Sequence, residues 1–249
     1  MLNIAIVIMS FFLSTASAKT VLITGSSRGL GMEMAMQYAI DGWDVIATAR
    51  TPEDDKELQA LARAYASVQI EKLDVTDHSE IEALAEKLQD TAIDILINNA
   101  GILGDPSQQQ LGKLDFSVAN VVFMTNTLGP LKIAEAFLEH IARSDTKKIM
   151  TISSIVGSIT NTTGNIYFYR ASKTAVNMMM TNLAADTKHR GIIVGMIHPG
   201  VVDTDMTAPF NIPKVSVNES AAGVRKVIAW YTTETSARFM QYDGEPMDW

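Results

Sequence analysis

The stretch Thr20-Val21-Leu22-Ile23-Thr24-Gly25-Ser26-Ser27-Arg28-Gly29-Leu30-Gly31 decides the fold. Its first four residues are apolar or β-branched and read as a strand. A Gly/Ser turn follows, and Leu30 to Ile40 continues with helical spacing. Glycines let such a turn fold tightly and approach a pyrophosphate. The helix that opens from it supplies N–H groups and the positive end of its dipole. The spacing of Gly25, Gly29 and Gly31 is G-x-x-x-G-x-G, not the usual dinucleotide fingerprint. The placement between first strand and first helix therefore carries the reading, against the alternative of an ordinary turn.

Outward from this unit, strands and helices alternate. Strands are expected at Asp44 to Ala49, Val68 to Val75, Ile93 to Ile97, Lys147 to Ser153, Ile192 to Ile197 and Arg238 to Tyr242. Helices are expected at Pro52 to Tyr65, His78 to Gln89, Phe116 to Arg143, Tyr167 to His189 and Asn218 to Tyr231. This alternation predicts right-handed βαβ crossovers and a parallel sheet covered on both faces. The fold class is α/β: a Rossmann-type, doubly wound parallel sheet of about seven strands in three layers, as one domain over 19–249. The irregular stretch Val201 to Val217, with Pro209 and Pro213, is long enough to mark a site.

Composition narrows the chemistry. A chain of 249 residues, 47% hydrophobic and 19% charged, suits one globular domain that needs no staples. It has no cysteine, which excludes a zinc-thiolate site, an iron–sulfur cluster, a catalytic thiol and a disulfide framework. The histidines at 78, 140, 189 and 198 show no metal-ligand spacing, so no metal site is expected. Twenty basic against 28 acidic residues give a net charge of −8, a poor match to nucleic acid or anionic membrane. Residues 1–18 stand apart. An uncharged apolar stretch, Ile4 to Leu13, precedes Ala16 and Ala18 in A-x-A spacing. They read as a secretory signal cleaved after Ala18, which would place the protein outside the cytoplasm. The n-region lacks Lys and Arg, and the alternative is an extra N-terminal helix or an upstream start on a cytoplasmic protein.

Three further constellations carry chemistry. The second strand ends Thr48-Ala49-Arg50, without the acid that holds a ribose 2′-hydroxyl in NAD sites. Arg50 and Arg28 instead suit a 2′-phosphate, so NADP(H) is expected over NAD(H). Asn98-Asn99-Ala100-Gly101 follows the fourth strand, where ligands lie in doubly wound sheets, and Asp74 is placed to accept from an adenine amino group. Tyr169 and Lys173, at i and i+4, share a helix face, and a neighbouring cation lowers a phenol pKa. Ser153-Ser154 ends the strand before them, where a hydroxyl can meet a substrate oxygen as charge develops. Pro130 has no N–H to give the Asn126 carbonyl, so a kink and an ordered water are expected there.

In this order, these residues resemble the short-chain dehydrogenase/reductases, in their single-domain branch, over Lys19 to Trp249. Ser153 to Ile159, Tyr167 to Lys173 and Tyr242 to Pro246 look most like the C-factor and sniffer-type carbonyl reductases. The resemblance implies a general acid–base at Tyr169, a ribose-binding and pKa-lowering Lys173, a carbonyl-orienting Ser154 and a relay water held by Asn126. It implies cofactor contacts at Gly25, Ser26, Ser27, Arg28, Gly29, Leu30, Gly31, Arg50, Asp74, Val75, Asn99, Ala100, Gly101, Tyr169, Lys173, Pro199, Gly200, Val202 and Thr204. It further implies a homodimer or homotetramer through Phe116 to Arg143 and Tyr167 to His189. Ser154 lies 15 residues before Tyr169 where most members have 13, which points to a longer loop at Thr160 to Asn165.

The function expected is NADP(H)-dependent oxidoreduction, of carbonyl reductase or alcohol dehydrogenase type, on a small carbonyl or alcohol. The alternative is a non-enzymatic, cofactor-binding signalling protein resembling C-factor. A sugar-nucleotide epimerase is disfavoured because no substrate domain follows the sheet.

Overall fold

The computed structural model describes residues 18–249, and the expected signal segment lies outside the described residues but for Ala18. Seven strands form one all-parallel sheet: β1 (Thr20–Ile23), β2 (Asp44–Ala49), β3 (Val68–Lys72), β4 (Ile95–Asn98), β5 (Lys148–Ile152), β6 (Ile193–His198) and β7 (Phe239–Gln241). Their order across the sheet is β3-β2-β1-β4-β5-β6-β7. The chain winds outward from β1 in one direction and restarts at β4 in the other. A crevice opens at the carboxyl ends of these two strands.

β1, β4, β5 and β6 are buried along their whole length, as strands covered on both faces must be. Alternate residues feed two cores. Val21, Ile23, Val45 and Ala47 pack with α1 (Gly29–Ile40), α2 (Lys56–Ala64) and α8 (Val217–Trp230). Leu22, Ile46, Leu96 and Ile149 pack on the opposite face with α3 (His78–Lys87), α5 (Gly129–Ala136), α6 (Leu138–Ala142) and α7 (Tyr167–Thr187). Truncating such a side chain to alanine costs about 2–5 kcal/mol.

The structure corrects several expected boundaries. A turn over Thr51 to Asp55 precedes α2, and the Asp55 carboxylate accepts the Leu58 N–H and sets the start at Lys56. β3 ends at Lys72, and the Asp74 carboxylate turns the chain by accepting from Thr76 N–H and Oγ1. The helix expected over Phe116 to Arg143 is not continuous. α4 (Phe116–Phe123) passes into a π-helical turn, Met124–Leu128, before α5 and α6. The Gly129 N–H reaches back five residues to the Met124 carbonyl. Pro130, which cannot donate, follows at once, so the ladder widens instead of merely kinking. Gly129 also has no room for a side chain, since a Cβ there would lie 2.6 Å from the Val75 carbonyl oxygen.

The irregular stretch after β6 is tied at its ends. Val202 and Val215 form an isolated bridge, Asp203 N–H donates to the Val215 carbonyl, and Lys214 pairs with Asp203 at 3.3 Å. The segment between is a closed surface loop standing over the crevice side of the sheet.

Candidate active site

At the crevice, Gly25 adopts φ +68, and a Cβ on it would stand 2.9 Å from the Ala100 Cα. A Cβ on Gly31 would stand 2.2 Å from the Gly25 carbonyl oxygen. Both glycines are therefore required by close backbone approach. Thr24 Oγ1 accepts the N–H groups of Asn99 (3.0 Å) and Ala100 (3.1 Å). Asn99 Nδ2 donates to the carbonyls of Thr24 and Gly25. Ser26 is buried, with its N–H on the Thr48 carbonyl and its Oγ on the Ile23 carbonyl. Ser26 and Asn99, residues expected at the cofactor, thus use their side chains to brace the turn itself.

What the turn leaves open is the start of α1. Arg28 occupies its N-cap position, no side chain caps it, and its first turn carries no acid. Unpaired N–H groups and a positive dipole face the crevice, as an anionic ligand requires. Arg28 is exposed and pairs with Asp205 at 3.7 Å. The methyl of Thr204 would lie 3.2 Å from a Cβ on Gly29, so the loop after β6 touches the turn. Gly200 itself sits at φ +82, and the carbonyl of Pro199 accepts from Ser220 Oγ. Leu30, Val75 and Val202 are buried, Ser27 half-buried.

Beyond the turn, a groove of about 730 Å³ runs past Arg50, Thr51, Lys72 and Asp74. Arg50 is exposed on its rim, while Lys72 is ion-paired to Glu80. The other Glu80 oxygen accepts the Asp74 N–H.

The catalytic candidates meet at the end of β5. Ser153 is buried and donates to Asn177 Oδ1 at 2.6 Å, whereas Ser154 is half-buried, accepts the Val156 N–H at 3.4 Å and neighbours the Tyr169 phenol. Gly157 lets the turn after Ser154 press on α7, since a Cβ there would lie 3.0 Å from Lys173. Lys173 Nζ donates to the Ile152 carbonyl at 2.9 Å and stands 5.8 Å from the centre of the Tyr169 ring. A Cβ on Gly101 would stand 3.3 Å from Asn126 Oδ1 and 3.6 Å from Lys173 Nζ, so these three residues converge.

The expectation that Lys173 lowers the Tyr169 pKa needs correction. Burial pushes the Tyr169 phenol up to about 12, and the neighbouring Ser154 hydroxyl acts to lower it. Burial pushes the Lys173 ammonium down to about 8. In this arrangement Lys173 spends a hydrogen bond on Ile152, and desolvation sets the direction of both shifts. The Asn126 side chain is fully engaged, whereas the water expected there concerns its main-chain carbonyl. Its Oδ1 accepts the Ile102 N–H at 2.8 Å, and its Nδ2 donates to the Ile102 carbonyl and to Ser172 Oγ. His198, at the end of β6, is pushed down to about 4 by burial, which leaves it neutral and without acid–base work near pH 7.

Sequence reading missed Ser172 and Gln109. Ser172 Oγ donates to the Tyr169 carbonyl, and Gln109 Oε1 accepts the Tyr169 N–H. Ser172 lies inside the tyrosine–lysine spacing and shares the helix face of Tyr169, a signal that was available. Gln109 sits in a run of three glutamines with no periodicity, and nothing local distinguishes it.

The profile of the short chain dehydrogenase family matches residues 19–214. The chain is 34% identical to 1-hydroxy-2-glutathionyl-2-methyl-3-butene dehydrogenase of Rhodococcus sp. (strain AD45), covering 92% of this chain and 99% of that protein. It is 33% identical to C-signal of Myxococcus xanthus, covering 68% of this chain and 100% of that one. In structure it resembles the NADPH-bound carbonyl reductase from chicken fatty liver, with a TM-score of 0.86 at 31% identity over 93% of this chain and 99% of the other.

Proposed function

Because the chain belongs to the short-chain dehydrogenase family, we propose that it is an NADP(H)-dependent carbonyl reductase or alcohol dehydrogenase with Tyr169 as its acid–base. Membership itself makes it an NAD(P)-dependent dehydrogenase/reductase. The observation that carries the finer reading is the meeting of Ser154, Tyr169 and the buried Lys173 Nζ, 5.8 Å from the Tyr169 ring centre, at the same sheet end as the open α1 terminus.

The open terminus, Gly25 and Gly31 fit a pyrophosphate, and the groove at Arg50 fits the far end of a dinucleotide. Arg50 without a neighbouring strand-end acid favours a 2′-phosphate. When bound, the nicotinamide supplies a hydride to the carbonyl carbon of the substrate. Tyr169 keeps its proton at neutral pH and donates it to the oxygen that gains charge. Ser154 offers a second hydroxyl to that oxygen. One hydride and one proton added to the ketone or aldehyde make the alcohol. In the proposed cycle Lys173 orients the ribose, and a water at Asn126 returns the proton to Tyr169.

The test is NADPH oxidation across a panel of aldehydes and ketones with the chain from Lys19. Tyr169→Phe should lower turnover by about 10²–10⁴-fold, and undiminished activity would reject the assignment. Titration of tryptophan fluorescence should give tighter binding of NADPH than NADH, with the difference lost in Arg50→Ala. The C-signal relative favours a second reading, a cofactor-binding signalling protein, which predicts NADPH binding without turnover of any panel member.

We also propose export by the 1–18 segment and assembly as a homodimer or homotetramer. Exposed Phe116 and Val121 on α4 and Met178 on α7 support assembly. Mass measurement of the mature N-terminus and sedimentation test these two points.

A further inference from the structure

We propose that Gln109 is a positioning residue that seats Tyr169 and couples it to the segment from Ile102 to Gln109. This rests on the reading of Tyr169 as the acid.

The first N–H groups of a helix need acceptors from outside it. α7 begins after Ile166 at φ 39 and ψ 49, and no side chain of its own caps it. Gln109, completely buried, does so from 60 residues away. Its backbone carbonyl accepts the Tyr167 N–H at 3.2 Å, and its Oε1 accepts the Tyr169 N–H at 2.9 Å. Its Nε2 faces the other way and donates to the carbonyls of Leu103 (2.7 Å) and Asp105 (3.4 Å). The amide is therefore fixed in one orientation, since a flip would set oxygen against carbonyls and N–H against N–H. Gly104, at φ +72, makes room for it, because a Cβ there would lie 3.0 Å from Nε2.

The other main-chain polar group of Tyr169 leads back to the same segment. Its carbonyl accepts from Ser172 Oγ at 2.8 Å, Ser172 accepts from Asn126 Nδ2 at 3.1 Å, and Asn126 holds both polar groups of Ile102. Tyr169 is thus gripped at N–H by the Gln109 amide and at C=O by the Ser172 hydroxyl, and both chains, the second through Asn126, end on residues 102–105. That segment follows β4 at the crevice, where a substrate would rest. A displacement there moves the phenol, and a misplacement of about 1 Å costs on the order of 10²-fold in rate.

The experiment compares wild type, Gln109→Ala, Gln109→Glu and Tyr169→Phe. Backbone hydrogen exchange needs no substrate. In Gln109→Ala it should quicken together in 102–109 and in the first turn of α7, with the strands unchanged. Turnover of NADPH with nitrobenzaldehyde should fall by about ten- to a hundredfold, while NADPH affinity moves less than about twofold. Gln109→Glu keeps the acceptor for Tyr169. Its protonated carboxyl also donates to Leu103, whereas its carboxylate faces two carbonyl oxygens. Turnover and α7 protection in this variant should recover at low pH and decline as pH rises, a profile absent from wild type. If Gln109→Ala fails to fold, Gln109→Glu carries the test alone. Protected α7 amides in Gln109→Ala overturn the proposal, as does a Gln109→Glu variant without recovery at any pH. A dead Tyr169→Phe beside a fully active Gln109→Ala rejects the seat alone, while an active Tyr169→Phe rejects the acid assignment on which it rests.

Discussion

Among the described residues, helices that start from loops begin in two ways. α2, α3, α4 and α8 are each closed by a side chain just before them: Asp55, Asp77, Asp115 and Ser216. Ser216 with Glu219 forms the first half of a capping box. α1 and α7 have no such cap. α7 is served from afar by Gln109, and α1 carries neither cap nor acid in its first turn. The closed ends hold the fold, and the two without local caps are the ones that reach the crevice. The difference teaches that this chain satisfies backbone donors locally wherever no ligand is to come, and leaves them free or remotely tied at the site.

The contrast can be broken or sharpened by experiment. The largest effect is expected from Gly31→Ala. Its Cβ would meet the Gly25 carbonyl at 2.2 Å, so the turn must move, and NADPH affinity or stability should drop by about 3 kcal/mol. Calorimetric titration with NADPH beside a melting curve checks this, and an unshifted affinity would show that the turn is not the ligand's seat.

Lys173 comes next, as a cost carried by a site helix. Its ammonium falls from 10.5 to about 8 on folding, so between those values the unfolded chain binds more protons. Stability should therefore rise from pH 8 toward pH 10 by up to about 3 kcal/mol. Above pH 10 the phenols of buried Tyr38 and half-buried Tyr169, both pushed up to about 12, begin to act in the opposite sense. Denaturant titrations at several pH values should show the rise in wild type and its loss in Lys173→Met.

The smallest effects test the caps directly. Arg28→Asp places a capping carboxylate at the open end of α1. It should stabilise the fold by about 0.5–1 kcal/mol while abolishing NADPH binding. Asp55→Ala should do the reverse, costing about 1 kcal/mol of stability with no change in affinity. Equal behaviour of the two variants would erase the distinction between closed and open ends.

Features written in local periodicity were legible beforehand. The apolar strands, the glycine turn opening α1 and the i, i+4 pairing of Tyr169 with Lys173 each depend on residues within a few positions. The family resemblance, now matched over 19–214, rested on such local groups taken in order. What was not legible lies across the fold. Pro130 signals a broken ladder, but whether it kinks or widens depends on how closely Gly129 must approach Val75. The direction of the Tyr169 shift depends on burial by distant elements, which helical spacing does not report. Gln109 lies in a stretch without periodicity and gains its meaning only from a helix 60 residues on.

The π-helical turn at Met124–Leu128 has a consequence in genetic terms. It holds one residue more than an α-helix of the same span, and so is equivalent to a single inserted codon. Deleting one residue there would let the helix close into a regular ladder, a local gain. It would also rotate everything on one side of the deletion by about 100° relative to the other. Asn126 would then leave Ile102 and Ser172, and the grip on Tyr169 would go with it. Selection for the most regular helix and selection for the site pull this one codon in opposite directions.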